Sequence, residues 1–220
     1  VARDTLLLPE AMDFETATFI EPLATCVRAV RRQGRLEAGD AVLIVGLGAM
    51  GQLMVPLARR YGAGLVFGSD FVEERRERAL RRGADAAFDP AAMDVAKAVR
   101  DRTGGRGADV VVVCPGDPRA IEAALDAAAP GARVVCFTPL APGTEIRLDA
   151  SGLYFREITL TQSYSCGPDE TREALRLLEA GAVEVRSLVT HRAGLEGVGD
   201  AILRAAGKGE GIKTVIHPGR

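Results

Sequence analysis

The segment Ala41-Val42-Leu43-Ile44-Val45-Gly46-Leu47-Gly48-Ala49-Met50-Gly51 constrains this 220-residue chain more than any other part of it. An apolar run breaks into G-x-G-x-x-G, and an apolar helical stretch follows. Asp70 then closes a second apolar segment, Leu65-Val66-Phe67-Gly68-Ser69-Asp70, roughly twenty residues beyond the glycines. A strand, a glycine turn, a helix and an acid in that order are the layout of a βαβ unit that holds a dinucleotide.

Each position has a chemical reason. Gly46 lets the strand turn sharply, Gly48 leaves no side chain between the backbone and a pyrophosphate, and Gly51 lets the helix lie close against the sheet. The helix opening near Ala49 and Met50 directs unpaired N–H groups and a partial positive charge at phosphates. Asp70 can accept both hydroxyls of a ribose and repel a 2′-phosphate, which favours NAD over NADP. Arg75, just beyond it, joins the cofactor-binding candidates, although the charged run around it also reads as a solvated helix face. Two other readings compete with this one. One is a tight turn with no ligand; the other is a methyltransferase, which also ends its first strand in a glycine turn and its second in an acid.

The rest of the pattern alternates helix and strand. Helices are predicted over residues 52–61, despite Pro56, and over 72–82, 93–102 and 120–129. Strands are predicted at Ala86–Phe88, 110–113, 133–137 and 158–164. The run Val110-Val111-Val112-Val113 has no polar alternation, as suits a central parallel strand covered on both faces. It stops at Cys114-Pro115-Gly116, a loop at a strand's carboxyl end, where a cofactor would lie. Such alternation implies an α/β fold with a doubly wound parallel sheet in the order 3-2-1-4-5-6. Its crevice falls between the first and fourth strands. The flanks contribute helices over 170–180 and 195–206 and a last strand at Lys213–Ile216.

Composition narrows the remaining possibilities. At 47% hydrophobic residues the chain can bury one sizeable core with a smaller appendage. A net charge of −2 gives no reason to expect nucleic acid as a partner. No apolar segment reaches the length of a membrane span and nothing at the start resembles a signal peptide, so no membrane partner and a cytoplasmic location are expected. Cys26, Cys114, Cys136 and Cys166 show no ligand spacing, and Cys114 and Cys136 read as apolar filler. His191 and His217 are too few for a self-contained histidine-rich metal site.

Several motifs occur in one order: Glu21-Pro22-Leu23 followed by a helix, the glycine fingerprint, Gly104-Gly105-Arg106-Gly107-Ala108-Asp109, Leu188-Val189-Thr190-His191-Arg192, and Gly211-Ile212-Lys213-Thr214-Val215-Ile216. Together they resemble the medium-chain, zinc-dependent alcohol dehydrogenases, especially the sorbitol and threonine dehydrogenase branch. The resemblance implies NAD-dependent oxidation of a small-molecule polyol or secondary alcohol. It implies three parts: residues 1–35 as the end of a catalytic domain, 36–165 as the nucleotide-binding domain, and 166–220 as a return to the catalytic domain. In that family a GroES-like domain supplies a cysteine and a histidine to zinc. This sequence has no Gly-His-Glu, so a fragment inactive on its own is expected, with a non-catalytic NAD-binding module as the alternative.

The resemblance also assigns individual residues. Glu21 matches a glutamate that ligates the zinc or holds its bound water, making it the catalytic and metal candidate. Lys213 matches a basic residue that reaches the cofactor pyrophosphate. Arg28 stands where many relatives have histidine. His191 reads as structural and His217 as part of an exposed tail. Family habit and uncovered apolar edges imply a homo-oligomer, a dimer or tetramer.

Overall fold

The structure, a computed structural model, describes residues 5–206 and 211–219. The chain enters through α1 (Phe14–Ala17) and α2 (Ile20–Val27), which runs on into a π-helical turn at Arg28–Gln33. Glu21-Pro22-Leu23 does not precede that helix but forms its first turn, where proline's missing N–H is harmless. Then strand and helix alternate: β1 (Ala41–Val45), α3 (Ala49–Arg60), β2 (Leu65–Ser69), α4 (Glu73–Arg81), β3 (Ala86–Phe88), α5 (Val95–Arg102), β4 (Ala108–Val113), α6 (Pro118–Ala127), β5 (Ala128–Cys136), α7 (Ala150–Phe155) and β6 (Thr159–Gln162). These strands form one parallel sheet in the order β3-β2-β1-β4-β5-β6, the doubly wound arrangement expected from the sequence.

Side chains alternate through the sheet into two core layers. Val42, Ile44, Val66, Val110, Val112 and Val135 face one layer, shared with α2, α3 and α8 (Pro168–Glu179). Leu43, Phe67, Val111, Val113 and Val134 face the other, shared with α5 and α6. Burying each such side chain contributes about 1.5–3 kcal/mol, so the central strands hold the sheet together. Asp109, from the Gly-Gly-Arg-Gly-Ala-Asp motif, accepts the Ala41 N–H at 2.9 Å and pairs with Arg106 at 2.5 Å. Asp85 accepts the Val66 N–H at 2.7 Å in the same manner. Both acids satisfy a donor at the start of a neighbouring strand.

Element bounds differ from the sequence reading in ways that have local causes. α3 begins at Ala49 because Gly48 caps it, and it tolerates Pro56 because the freed Gln52 carbonyl accepts from Arg82 Nε at 3.0 Å. α6 ends at Ala127, and the stretch through Pro130-Gly131, expected to be helix end and turn, already pairs as β5. α7, capped by Asp149, was not anticipated because it is short and buries none of its residues. At the other end β7 (Val189–Ala193) pairs in parallel with β8 (Lys213–Ile216) in a separate two-stranded sheet. Between them the predicted helix splits into a 3₁₀ turn at Leu195–Gly197 and α9 (Val198–Ala206).

Candidate functional site

The fingerprint folds into a tight strand-to-helix turn whose glycines have separable duties. Gly46 adopts φ +88°, and a Cβ there would lie 2.9 Å from Pro115 Cδ and 3.2 Å from Cys114 Cβ. Gly51 is more confined: its Cβ would sit 2.1 Å from the Gly46 carbonyl oxygen. Gly48 is the opposite case, with open space where a Cβ would stand. The turn is thus tight where protein meets protein and vacant where the first N–H groups of α3 emerge at Ala49 and Met50. An N-terminus of this kind directs donors and partial positive charge into that space.

Asp70 lies one residue past β2 and is 8% exposed. Its Oδ2 accepts the Leu47 N–H at 2.7 Å, and its Oδ1 accepts the Val72 N–H at 2.8 Å. The carboxylate therefore ties the glycine turn to the loop after β2 and keeps lone pairs free for a further donor. Arg75 approaches it at 3.7 Å, so the charged run is not solely a solvated face. Arg76 braces the same loop, donating to the Asp70 and Phe71 carbonyls at 2.8 and 2.9 Å and pairing with Asp89 at 3.3 Å.

Across the crevice, Cys114-Pro115-Gly116 follows β4, and Pro115 closes on Gly46. Burial, with the Asp70 carboxylate adding to it, pushes the Cys114 thiol up to about 12. Its sulfur lies 4.0 Å from Met54 Sδ. Cys26 on α2 is buried, sits 3.6 Å from the Met50 carbonyl, and its pKa is raised by burial first and then by the neighbouring acidic groups, Glu21 among them. Both thiols stay protonated at neutral pH, so they serve as packing and not as nucleophiles.

Glu21 is exposed at the start of α2, within electrostatic reach of Lys213. Lys213 Nζ lies 5.0 Å from the centre of the Phe19 ring, and burial lowers its pKa while Glu21 opposes the shift. The residues around Glu21 do not fit a zinc ion. No group of three or more His, Cys, Asp or Glu side chains able to hold a metal exists among the described residues, and a lysine is the charged neighbour. The histidines are engaged elsewhere: His191 Nδ1 lies 3.0 Å from Thr190 Oγ1, and His217 Nε2 lies 2.8 Å from Glu15. His217, expected in an exposed tail, is instead half-buried against that acid.

The structure therefore brings Gly46, Gly48, Ala49, Met50, Gly51, Asp70, Arg75, Cys114 and Pro115 around one turn, with Gly116 following. Glu21 and Lys213 form a second group at the edge of α2. Sequence reasoning missed Gln52 and Arg76, whose side chains hold the turn and the acid loop in place.

The family model for zinc-binding dehydrogenases matches residues 49–180. The chain belongs to the zinc-binding dehydrogenase family. It is 37% identical over 208 residues to an L-threonine 3-dehydrogenase of Symbiobacterium thermophilum, covering 93% of this chain and 58% of that protein. It is 28% identical over 215 residues to the sorbitol dehydrogenase of Bacillus subtilis, covering 97% of this chain and 60% of that one. A solved protein from Sinorhizobium meliloti 1021, assigned as a zinc-binding dehydrogenase and bound to NADP, superposes with a TM-score of 0.89 at 31% identity. That match covers 96% of this chain and 61% of that one. The chain thus spans about three fifths of the length of the relatives it matches. No helix among the described residues is long and apolar enough to cross a membrane.

Proposed function

We propose that this zinc-binding dehydrogenase chain binds NAD(H) and serves as the nucleotide-holding part of an enzyme that oxidises a polyol or secondary alcohol to a ketone. The observation that carries the reading is the buried Asp70 carboxylate bonded to the glycine turn at Leu47. It sits where the ribose of a dinucleotide must lie if the pyrophosphate occupies the vacancy at Gly48. When bound, the nicotinamide supplies a hydride acceptor. The chain's own part is to seat the phosphates on the first N–H groups of α3, to hold the ribose hydroxyls on Asp70, and to wall the crevice with Pro115 and Gly116. Lys213, matched to the basic residue of the family motif, offers positive charge to the pyrophosphate. Asp70 favours NAD because a 2′-phosphate would meet a carboxylate at close range.

Glu21 is the acid that the family resemblance offers to zinc. Since it has no co-ligand among the described residues, no chemical step is assigned to a metal here. The nucleotide turn by itself would equally serve a second reading, a non-catalytic NAD(H)-binding module acting as redox sensor or partner subunit. A homo-oligomer, a dimer or tetramer, in the cytoplasm fits both readings. β6 is an outer strand of the sheet, with Phe155 and Tyr164 exposed on either side of it.

NADH and NADPH binding to the wild type and to Asp70→Ser tests the proposal. The wild type is expected to prefer NADH, and the variant to lose that preference. Equal affinity for both cofactors in the wild type would refute the role given to Asp70. Fusing the metal-binding part of a relative ahead of this chain and incubating with NAD, zinc and either sorbitol or threonine separates the two functional readings. Turnover by the fusion is expected of the dehydrogenase part, whereas NADH binding without turnover by the fusion would favour the non-catalytic module.

A further inference from the structure

Gln52 is fully buried one residue beyond the fingerprint, and the reading above gives it no task. Its Nε2 donates to the Leu47 carbonyl at 3.0 Å and to the Arg75 carbonyl at 2.8 Å. Its main-chain carbonyl, left without a helical donor by Pro56, accepts from Arg82 Nε at 3.0 Å. Leu47 in turn donates its N–H to Asp70, and Arg75 faces the same carboxylate. One side chain therefore clamps the glycine turn to the first turn of α4, with Asp70 held between the two clamped points. Gln52 Oε1 is meanwhile buried with no partner among the described residues. The orphaned amide oxygen offsets part of what the two Nε2 bonds contribute, so the net gain in stability is small while the two loops stay tied.

We infer that Gln52 is a positioning residue that sets the separation of Asp70 from the glycine turn, and through it the fit of the adenosine ribose of NAD. The inference rests on the cofactor reading given above. Gln52 touches no part of the space a cofactor would fill; it acts through the Leu47 and Arg75 carbonyls.

The test is a double-mutant cycle in the full chain. NADH affinity is followed by nicotinamide fluorescence for Gln52→Met, Asp70→Ala and the pair, with melting temperatures recorded alongside. Gln52→Met is expected to weaken NADH about tenfold and to lower the melting temperature by a few degrees at most, leaving the variant folded at the assay temperature. Added to Asp70→Ala, it is expected to weaken binding no further, because its effect passes through the missing carboxylate. Unchanged NADH affinity in Gln52→Met would overturn the inference. So would losses that add in the pair, or an unfolded fraction at the assay temperature large enough to account for the weakened binding. If Gln52→Met does not fold, Gln52→Leu carries the same expectations. Failure of the wild type to bind NADH would overturn the cofactor reading and this inference together, whereas failure of the variant alone to weaken overturns only this inference.

Discussion

Two of the strand–helix–strand units with parallel strands, β1-α3-β2 and β7-α9-β8, turn out very differently. In β1-α3-β2 the helix buries Gly51 through Val55, Leu57 and Ala58, the turn closes on Pro115, and an acid bonds back to the turn. In β7-α9-β8 the helix buries none of its described residues, and Ile202 and Leu203 are 63% and 72% exposed. The second unit is held at its edge by charge instead: Glu15 takes Arg192 at 2.7 Å through both oxygens and His217 at 2.8 Å. Shared topology therefore does not make a site. A dinucleotide crevice needs a helix pressed onto the sheet closely enough for its N-terminus to open beside the strand ends, and of these two units the first achieves that approach.

The largest expected effect breaks that approach directly. Gly51→Val places a side chain against the Gly46 carbonyl, and we expect about 3 kcal/mol or more of lost stability, seen as an earlier midpoint in urea. Gly48→Val sharpens the contrast, since an added Cβ there meets no protein atom within 4 Å. Its urea midpoint should stay within about 0.5 kcal/mol of wild type while NADH affinity falls by roughly two orders of magnitude. A large stability loss in Gly48→Val would show that the vacancy is structural.

The pH response should divide the two units. Bonds from Arg192, and then from His217, hold the Glu15 carboxyl down at about 2, against an ordinary value of 4.5. A carboxyl lowered on folding stabilises the fold above its unfolded value and loses that contribution as pH falls toward the folded one. Between pH 4.5 and about 2, amide exchange in β7 and β8 is expected to quicken earlier than in β1 and β4. Glu15→Gln should give the loosened β7–β8 pattern already at pH 7. The smallest effect is expected at α9, where Leu203→Glu should shift the urea midpoint by no more than about 0.5 kcal/mol because the position is exposed. A larger loss would show that α9 contributes to the core.

Much of the first unit was legible from the sequence because its constraints are local. A glycine that must avoid a carbonyl and an acid at a strand end both leave a residue type at a fixed spacing. The valine run of β4 likewise announces burial on both faces. What the sequence concealed depends on partners distant along the chain. Gln52 reads as an ordinary polar helix residue until Arg75 and Arg82 come alongside, and Pro56 reads as a helix breaker until Arg82 supplies the donor its carbonyl partner lost. His217 suggested a tail because Glu15, which draws it in, lies at the opposite end of the chain. The short exposed α7 left no hydrophobic period to detect.

The most direct test of the central claim is to follow the amide signals of the ¹⁵N-labelled chain as NADH is added. Saturable shifts are expected at Leu47, Gly48, Ala49, Met50 and Asp70 and none along α9. Shifts confined to β7 and α9, or no saturable shift at the glycine turn, would contradict that claim.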